Sequence, residues 1–254
     1  MVERAGRTVA LTELGLALLP HARAIVRATA RAALATTALG DTAHRVGVAL
    51  SEAAVPLVMP RLATLERGTP TLTLSVRACD ASTAVQAVVA GEVDLAVAVA
   101  PPEKPSDDLQ RRALLLDEIV LVRSGIQELV SELDVIGSLS VLWQAPGSGV
   151  RATVEWVLEQ RGLWPAESVE LGSSIGVLAA AASGAGAAFL PGSFAAAWVA
   201  AGRVTATSLR TTDLFARFEL ISEPADQLAP GPARVYAHLL ETDAEPYGQL
   251  PAES

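Results

Sequence analysis

A chain of 254 residues, half of them apolar, holds material for one large or two modest domains. Aromatics make up only 4%, so the interior must be built from Ala, Val and Leu, a composition that suits helices packed on sheets. The formal charge of -9 excludes a surface coated all over with nucleic acid, and the single cysteine, Cys79, excludes an internal disulfide and points to a cytoplasmic address.

That charge is uneven. Residues 1–31 carry Arg4, Arg7, Arg23, Arg27 and Arg31 against Glu3 and Glu13, a net of +3 that leaves -12 for the remainder. The pattern is a basic amino-terminal arm on an acidic body. The apolar patch LGLALLP follows Glu13, lacks a basic leader and cleavage site, and is too short to span a membrane.

Two short strand-like pieces flank a tight turn at Ala5-Gly6-Arg7, and a helix opens at Thr12. Leu14, Leu18, Ile25, Ala32 and Leu39 recur at spacings of 4, 7, 7 and 7 before Gly40, with a bend expected at Pro20. A seam this narrow on a helix this long calls for a partner helix, and dimerisation is the economical reading; packing on its own body is the alternative.

From Arg45 the grammar changes. VGVAL (46–50) reads as a buried strand, Ser51 as the cap of a helix to about Glu66, TLTLSVR (71–77) as a strand, STAVQAVVAG as a helix ended by Gly91, and VDLAVAV (93–99) as a strand. This β-α-β-α-β unit implies a parallel sheet covered on both faces. After the polar turn PPEKPSDD comes an expected strand pair, RALLL and EIVLV. The grammar then repeats with SVLWQ (140–144), a helix from Gly149 to Arg161, SVELG (168–172), a helix from Ser174 to Ser183, and AAFLP (187–191). A helix from Ser193 to Ala201, strands RVTATSL and FARFELIS, and a helix near Ala233–Glu241 complete the chain. A return of the last strand and helix to the first unit gives two lobes, two crossing segments and a cleft.

Ligands of open parallel sheets bind beyond the carboxyl ends of the strands. Ser51, Ser82, Ser148, Ser173 and Ser174 all stand there, beside helix starts whose free N–H groups favour an anionic or carbonyl-bearing ligand. Gly147 and Gly149, flanking Ser148, permit close backbone approach. The plainer alternative is that each serine only caps its helix.

Three other patterns carry less. Gly172-Ser173-Ser174-Ile175-Gly176 matches G-x-S-x-G between strand and helix, with Asp213 or Asp226 and then His238 in hydrolase order, but no oxyanion loop accompanies it. His21, His44, His238 and Cys79 have no metal-ligand spacing. Gly184-Ala185-Gly186 follows a helix, where a dinucleotide fingerprint would follow a strand.

Together, VERAGRTVALTELGLALLPHARAIV, VVAGEVDLAVAVAPP, APGSGVR and LGSSIGVLAAAASGAGAAFLP, in this order, resemble a LysR-type transcriptional regulator from Val2 to about Ser222. Leu14 departs from the family's usual Ala, and Ala81 from its frequent Thr. The resemblance implies an α/β, two-lobed, periplasmic-binding-protein-like (type II) effector domain. A long linker helix (12–40) and a residual wing of a winged helix-turn-helix (1–11) precede it. Lobe I takes residues 45–117 and 213–243, lobe II takes 118–212, and 244–254 form a flexible tail.

The same resemblance implies a homodimer or tetramer, a small-molecule effector at Ser51, Ser82, Gly147, Ser148, Ser173 and Ser174, and no catalytic residue, cofactor, metal or membrane. Its anionic character follows from the helix starts. Arg4 and Arg7 could contact the DNA backbone. Promoter DNA is a partner if the full helix-turn-helix is present; its absence here is expected to reflect a misplaced gene start, with true truncation the alternative. A transport solute-binding protein, or a serine hydrolase using Ser174, are the competing functions. A wing without its recognition helix reads no base edges, so this chain is expected to bind operator DNA weakly or not at all. A gel shift at moderate salt checks this, and a tight, sequence-specific complex overturns it.

Overall fold

The computed structural model describes residues 2–5, 8–15, 44–102, 109–125, 133–209 and 214–241, together with positions 18, 22, 25 and 29. Strands β1 (Val2–Ala5) and β2 (Thr8–Leu11) form an antiparallel hairpin with Ala5 opposite Thr8. The helix α1 follows, with positions 13–15, 18, 22, 25 and 29 helical. Thr12 starts it, its hydroxyl accepting the Gly15 N–H at 3.1 Å. Leu14, Leu18 and Ile25 are 68%, 42% and 68% exposed, so at these three positions the apolar seam is uncovered by the described residues of the chain. Pro20, Ala32, Leu39 and Gly40 lie outside the described residues.

In the first lobe, β3 (His44–Ser51) pairs in parallel with both β4 (Leu72–Cys79) and β5 (Leu95–Val99). Their connections are α2 (Val55–Arg67), entered through a 3-10 turn at Glu52–Ala54, and α3 (Ala81–Val89). All five residues of β5 are buried, as a central strand between two helical layers requires.

The strand pair expected at RALLL and EIVLV is one strand, β6 (Gln110–Arg123). Only Asp117 separates the two runs, and a hairpin needs a loop of at least two residues, so the chain has no room to reverse. Glu118 and the residues before it pair with β11 (Phe215–Ser222), whereas Ile119–Val122 pair with β9 (Ala187–Pro191) and Leu121–Arg123 with the short β10 (Thr205–Thr207). β6 therefore belongs to both lobes. The second lobe adds β7 (Ser140–Gln144) and β8 (Glu167–Gly172), joined by α4 (Gly149–Gln160). Helices α5 (Ser174–Ala182) and α6 (Gly192–Ala200) follow, and α7 (Pro230–Glu241) closes on the first lobe. The strand order is β4-β3-β5-β11-β6-β9-β7-β8, a mixed sheet, since β11 and β6 run antiparallel to their neighbours.

Helices cover both faces. Val58 and Leu62 of α2, Val235 and Leu239 of α7, and Val150, Val154 and Val157 of α4 share one core with Phe189 and Phe218. Ala84, Ala87 and Val88 of α3 pack on the opposite face of the first lobe, and Val177, Leu178 and Ala195 of α5 and α6 on that of the second. The small side chains allow very close contact. A Cβ at Gly149 would lie 2.2 Å from the backbone oxygen of Val99, an atom that cannot rotate away. Gly149→Ala should therefore lower stability by about 1–3 kcal/mol, the range for overpacking. Gly137→Ala, whose Cβ meets nothing closer than 3.9 Å, should change it by less than about 0.5 kcal/mol. Urea denaturation of the two variants checks both values.

Candidate functional site

The carboxyl ends of β3, β4, β5, β7 and β8 converge on a cavity of about 200 Å³. Both lobes line it. The first contributes Ser51 and Glu52 after β3, Cys79 and Asp80 after β4, and Val99 at the end of β5; the second contributes Gln144, Ala145, Ser148 and Gly149 between β7 and α4, and Gly172 and Ser174 between β8 and α5.

The serines take different roles. Ser51, expected to cap a helix, makes no capping bond; its Oγ is buried without a hydrogen-bond partner among the described residues. The reason is local: a 3-10 turn intervenes, and Pro56 begins α2 from inside. Ser148 lines the cavity and also caps α4, accepting the Arg151 N–H at 3.4 Å. Ser174 lines the cavity at the first turn of α5. Ser173 turns away, its Oγ accepting the Gly176 N–H at 2.9 Å, which is the plain capping role. Ser82 is outside the lining; Asp80 caps α3 in its place.

Ser82 instead joins the lobes. Its N–H donates to the Gly147 carbonyl at 3.0 Å, and its hydroxyl donates to Asp80 Oδ1 at 2.7 Å. The close approach anticipated at Gly147 is thus made to the first lobe, since a Cβ there would lie 2.2 Å from Asp80 Oδ1 and 2.5 Å from Ser82 Oγ. A second link crosses the cleft, where the Ser174 N–H donates to the Glu52 carboxylate. A helix amino terminus attracts an anion, and the first anion to reach this one is internal.

Three hydrogen-bonding side chains of the lining escaped the sequence reading. Glu52 and Asp80 directly neighbour singled-out positions, and Gln144 ends an apolar strand, where a fully buried polar residue needs a reason. Gln144 Nε2 donates to the Phe189 carbonyl at 2.8 Å while its Oε1 is buried without a partner among the described residues. Burial pushes the Asp80 carboxyl upward, but bonds from the Thr83 hydroxyl and N–H and the Ser82 hydroxyl outweigh it and hold the group below the ordinary range. Burial raises the Cys79 thiol against the opposing pull of Arg77, so the thiol is the protonated form at neutral pH.

Among the described residues the hydrolase constellation does not assemble. The His238 ring nitrogen Nε2 lies 3.3 Å from the Arg61 carbonyl, on the contact between α7 and α2, away from Ser174. No described non-glycine residue has a positive φ, so Ser174 lacks the strained turn of a nucleophile elbow. Asp213 lies outside the described residues, as does Arg7; Arg4 sits on β1 opposite Val9. Among the described residues no cluster of three or more His, Cys, Asp or Glu could hold a metal, and no helix is long and apolar enough to cross a membrane.

Because the Asp80 pKa is lowered by folding, its stabilisation is present above the ordinary carboxylate range and is lost as pH falls through the depressed value. Asp80→Ala should cost about 1 kcal/mol at pH 7 through the lost cap. The difference from wild type should shrink as pH is lowered past 4, the region in which model carboxylates titrate near 3.9. Paired denaturation curves at pH 7 and pH 3 check it; an undiminished difference at pH 3 contradicts the assigned charge state.

The profile of the LysR substrate binding domain matches residues 39–244. The HTH-type transcriptional regulator GltR of Bacillus subtilis (strain 168) is 25% identical over 238 residues, 93% of this chain and 79% of GltR. The nitrogen assimilation regulatory protein nac of Klebsiella aerogenes is 27% identical over 249 residues, 96% of this chain and 80% of its own length. Among solved structures, the regulatory domain of Synechocystis PCC6803 CcmR in complex with 2-PG superposes with a TM-score of 0.72 at 19% identity, over 80% of this chain and 99% of that one, a likeness of fold. The chain therefore belongs to the LysR family and carries the effector-binding domain of a LysR-type transcriptional regulator.

Proposed function

We propose that a small molecule bound between the lobes controls transcription through this chain, with Ser51, Ser148 and Ser174 in contact with it and Ser82, Gly147 and Ser173 shaping the cleft. One observation carries this reading: Ser51 Oγ and Gln144 Oε1, which belong to residues of the cavity lining, are buried with no hydrogen-bond partner among the described residues. A polar atom taken from water without a replacement bond costs about 1–3 kcal/mol, which a ligand group returns when it binds. CcmR, whose regulatory domain was solved with 2-PG, is a precedent for a small ligand in this fold.

Binding changes the protein by favouring one lobe arrangement over another, since a ligand shifts an equilibrium only by its differential affinity for the two states. The two interlobe bonds, Ser82 to Gly147 and Ser174 to Glu52, are the contacts that such a shift makes or breaks. The uncovered Leu14, Leu18 and Ile25 on α1 pair with the same face of a second copy, so the state of the cleft is read out as the relative placement of two amino-terminal arms. The cytoplasm is the compartment that gives such arms access to promoter DNA, with Arg4 and Arg7 touching phosphate. The reading includes no catalytic step.

A thermal-shift screen of a small-metabolite library against the 254-residue chain tests it. A ligand at a hundredfold excess over its Kd adds about 2.7 kcal/mol of stability, which raises the melting temperature by several degrees. Ser51→Ala should weaken that ligand about tenfold or more by calorimetry. Hits whose affinity is unchanged by Ser51→Ala and Ser148→Ala would place the ligand elsewhere and defeat the reading.

A further inference from the structure

Three helices begin at the cavity, and their starts are not equally supplied. A helix start leaves N–H groups without intrahelical acceptors and carries partial positive charge, so each can hold an anion. Asp80 closes the start of α3 with three bonds, accepting the Thr83 N–H at 2.9 Å, the Thr83 hydroxyl at 2.6 Å and the Ser82 hydroxyl at 2.7 Å. The first N–H of α5, that of Ser174, goes to the Glu52 carboxylate of the other lobe. The start of α4 has only a neutral cap, Ser148 Oγ, which accepts the Arg151 N–H at 3.4 Å. The N–H groups of Gly149 and Val150, both buried residues, find no acceptor among the described residues. Ser51 makes an independent demand in the same lining: it is 3% exposed, and its Oγ has no partner among the described residues.

Resting on the reading of the cleft as the effector site, we propose that Glu52 is its specificity-determining residue: as a built-in carboxylate on the start of α5 it limits the effector to one acid group, which sits at the start of α4. There the acid meets donors only, the Gly149 and Val150 N–H groups and the Ser148 hydroxyl. A second ligand acid has no comparable seat. Asp80 closes the start of α3, and to reach the start of α5 the acid must displace Glu52 and then stand beside it, in a lining that has no Lys or Arg among the described residues. Glu52 thus selects by excluding the wrong ligand, which is a sufficient source of specificity. Ala53, Ala81, Val99 and Val150 line the remaining space and take a compact hydrocarbon body.

Calorimetric titration of the 254-residue chain at pH 7 with valerate and glutarate tests this, since the two share a chain length and differ in the second carboxylate. Valerate should bind about tenfold more tightly than glutarate, or better. Glu52→Gln leaves a neutral acceptor for the Ser174 N–H and should lower that ratio by about tenfold, whereas Glu52→Ala vacates the start of α5 and should make glutarate the tighter ligand. Asp80→Asn removes an equal charge from the lining without freeing α5, so it should move the ratio by less than about threefold. Tighter glutarate binding by the wild type, a ratio unchanged in both Glu52 variants, an equal change in Asp80→Asn, or binding of neither acid each overturns the assignment of Glu52. The cleft reading survives all four and falls only if the library screen also yields no ligand sensitive to Ser51.

Discussion

The arrangement of this molecule depends on one strand. β6 runs 14 residues without a break, an extent of about 46 Å at 3.3 Å per residue, and exchanges its partner from β11 to β9 between Glu118 and Ile119. Two units that would otherwise be separate α/β folds are thereby held on one hydrogen-bonded ladder. A register irregularity at Phe218-Glu219 in the pairing of β11 with β6 lies just before this exchange. Extra residues in a ladder increase its local twist. The strand ends of the two lobes face a common cleft because β6 sets their relation, and the core of Phe189, Phe218 and the α4 valines, continuous across it, resists their separation.

Much of this is written in the residues, with a clear boundary. Apolar runs such as VGVAL and AAFLP declare buried strands, because a strand covered on both faces has no polar side to alternate with. Gly149 through Gln160 is legible because Ser148 really caps it. β6 reads as two strands because Asp117, a charged and turn-favouring residue, interrupts its apolar run, although one residue is too short a loop for a reversal. Asp117 is the instructive case. It accepts bonds from the Ser193 N–H and hydroxyl, closing the amino terminus of α6 from 76 residues away, while burial pushes its carboxyl up. A cap supplied by a distant strand leaves no signature in the sequence beside the helix.

The cleft shows the same boundary more sharply. Spacing places Ser51, Ser148 and Ser174 at strand ends, and the structure gathers them around one cavity. Spacing alone cannot separate them from Ser82 and Ser173, whose hydroxyls serve Asp80 and the Gly176 N–H, because a cap and a ligand contact need the same residue at the same position. Glu52 is less visible still. Glutamate at the start of a helix reads as a favourable charge on its own dipole, yet this carboxylate is spent on the amino terminus of α5 in the other lobe.

The strength of the two interlobe bonds sets how the cleft can work. A neutral hydrogen bond adds about 0.5–1.5 kcal/mol net and one to a charged group about 1.5–3 kcal/mol, so the Ser82 and Glu52 links across the cleft together contribute only a few kcal/mol beside the shared sheet and core. That is the range in which a minor arrangement stays populated enough for a ligand of moderate selectivity to favour it. Glu52 makes the coupling direct. The carboxylate that holds α5 is also one of the two charges in the cavity lining, so any ligand group that binds Glu52 competes with, or bridges to, the Ser174 N–H. Ligand chemistry and lobe geometry are therefore linked through one side chain: neutralising it weakens the link to the Ser174 N–H and alters the charge that the ligand meets in the same step.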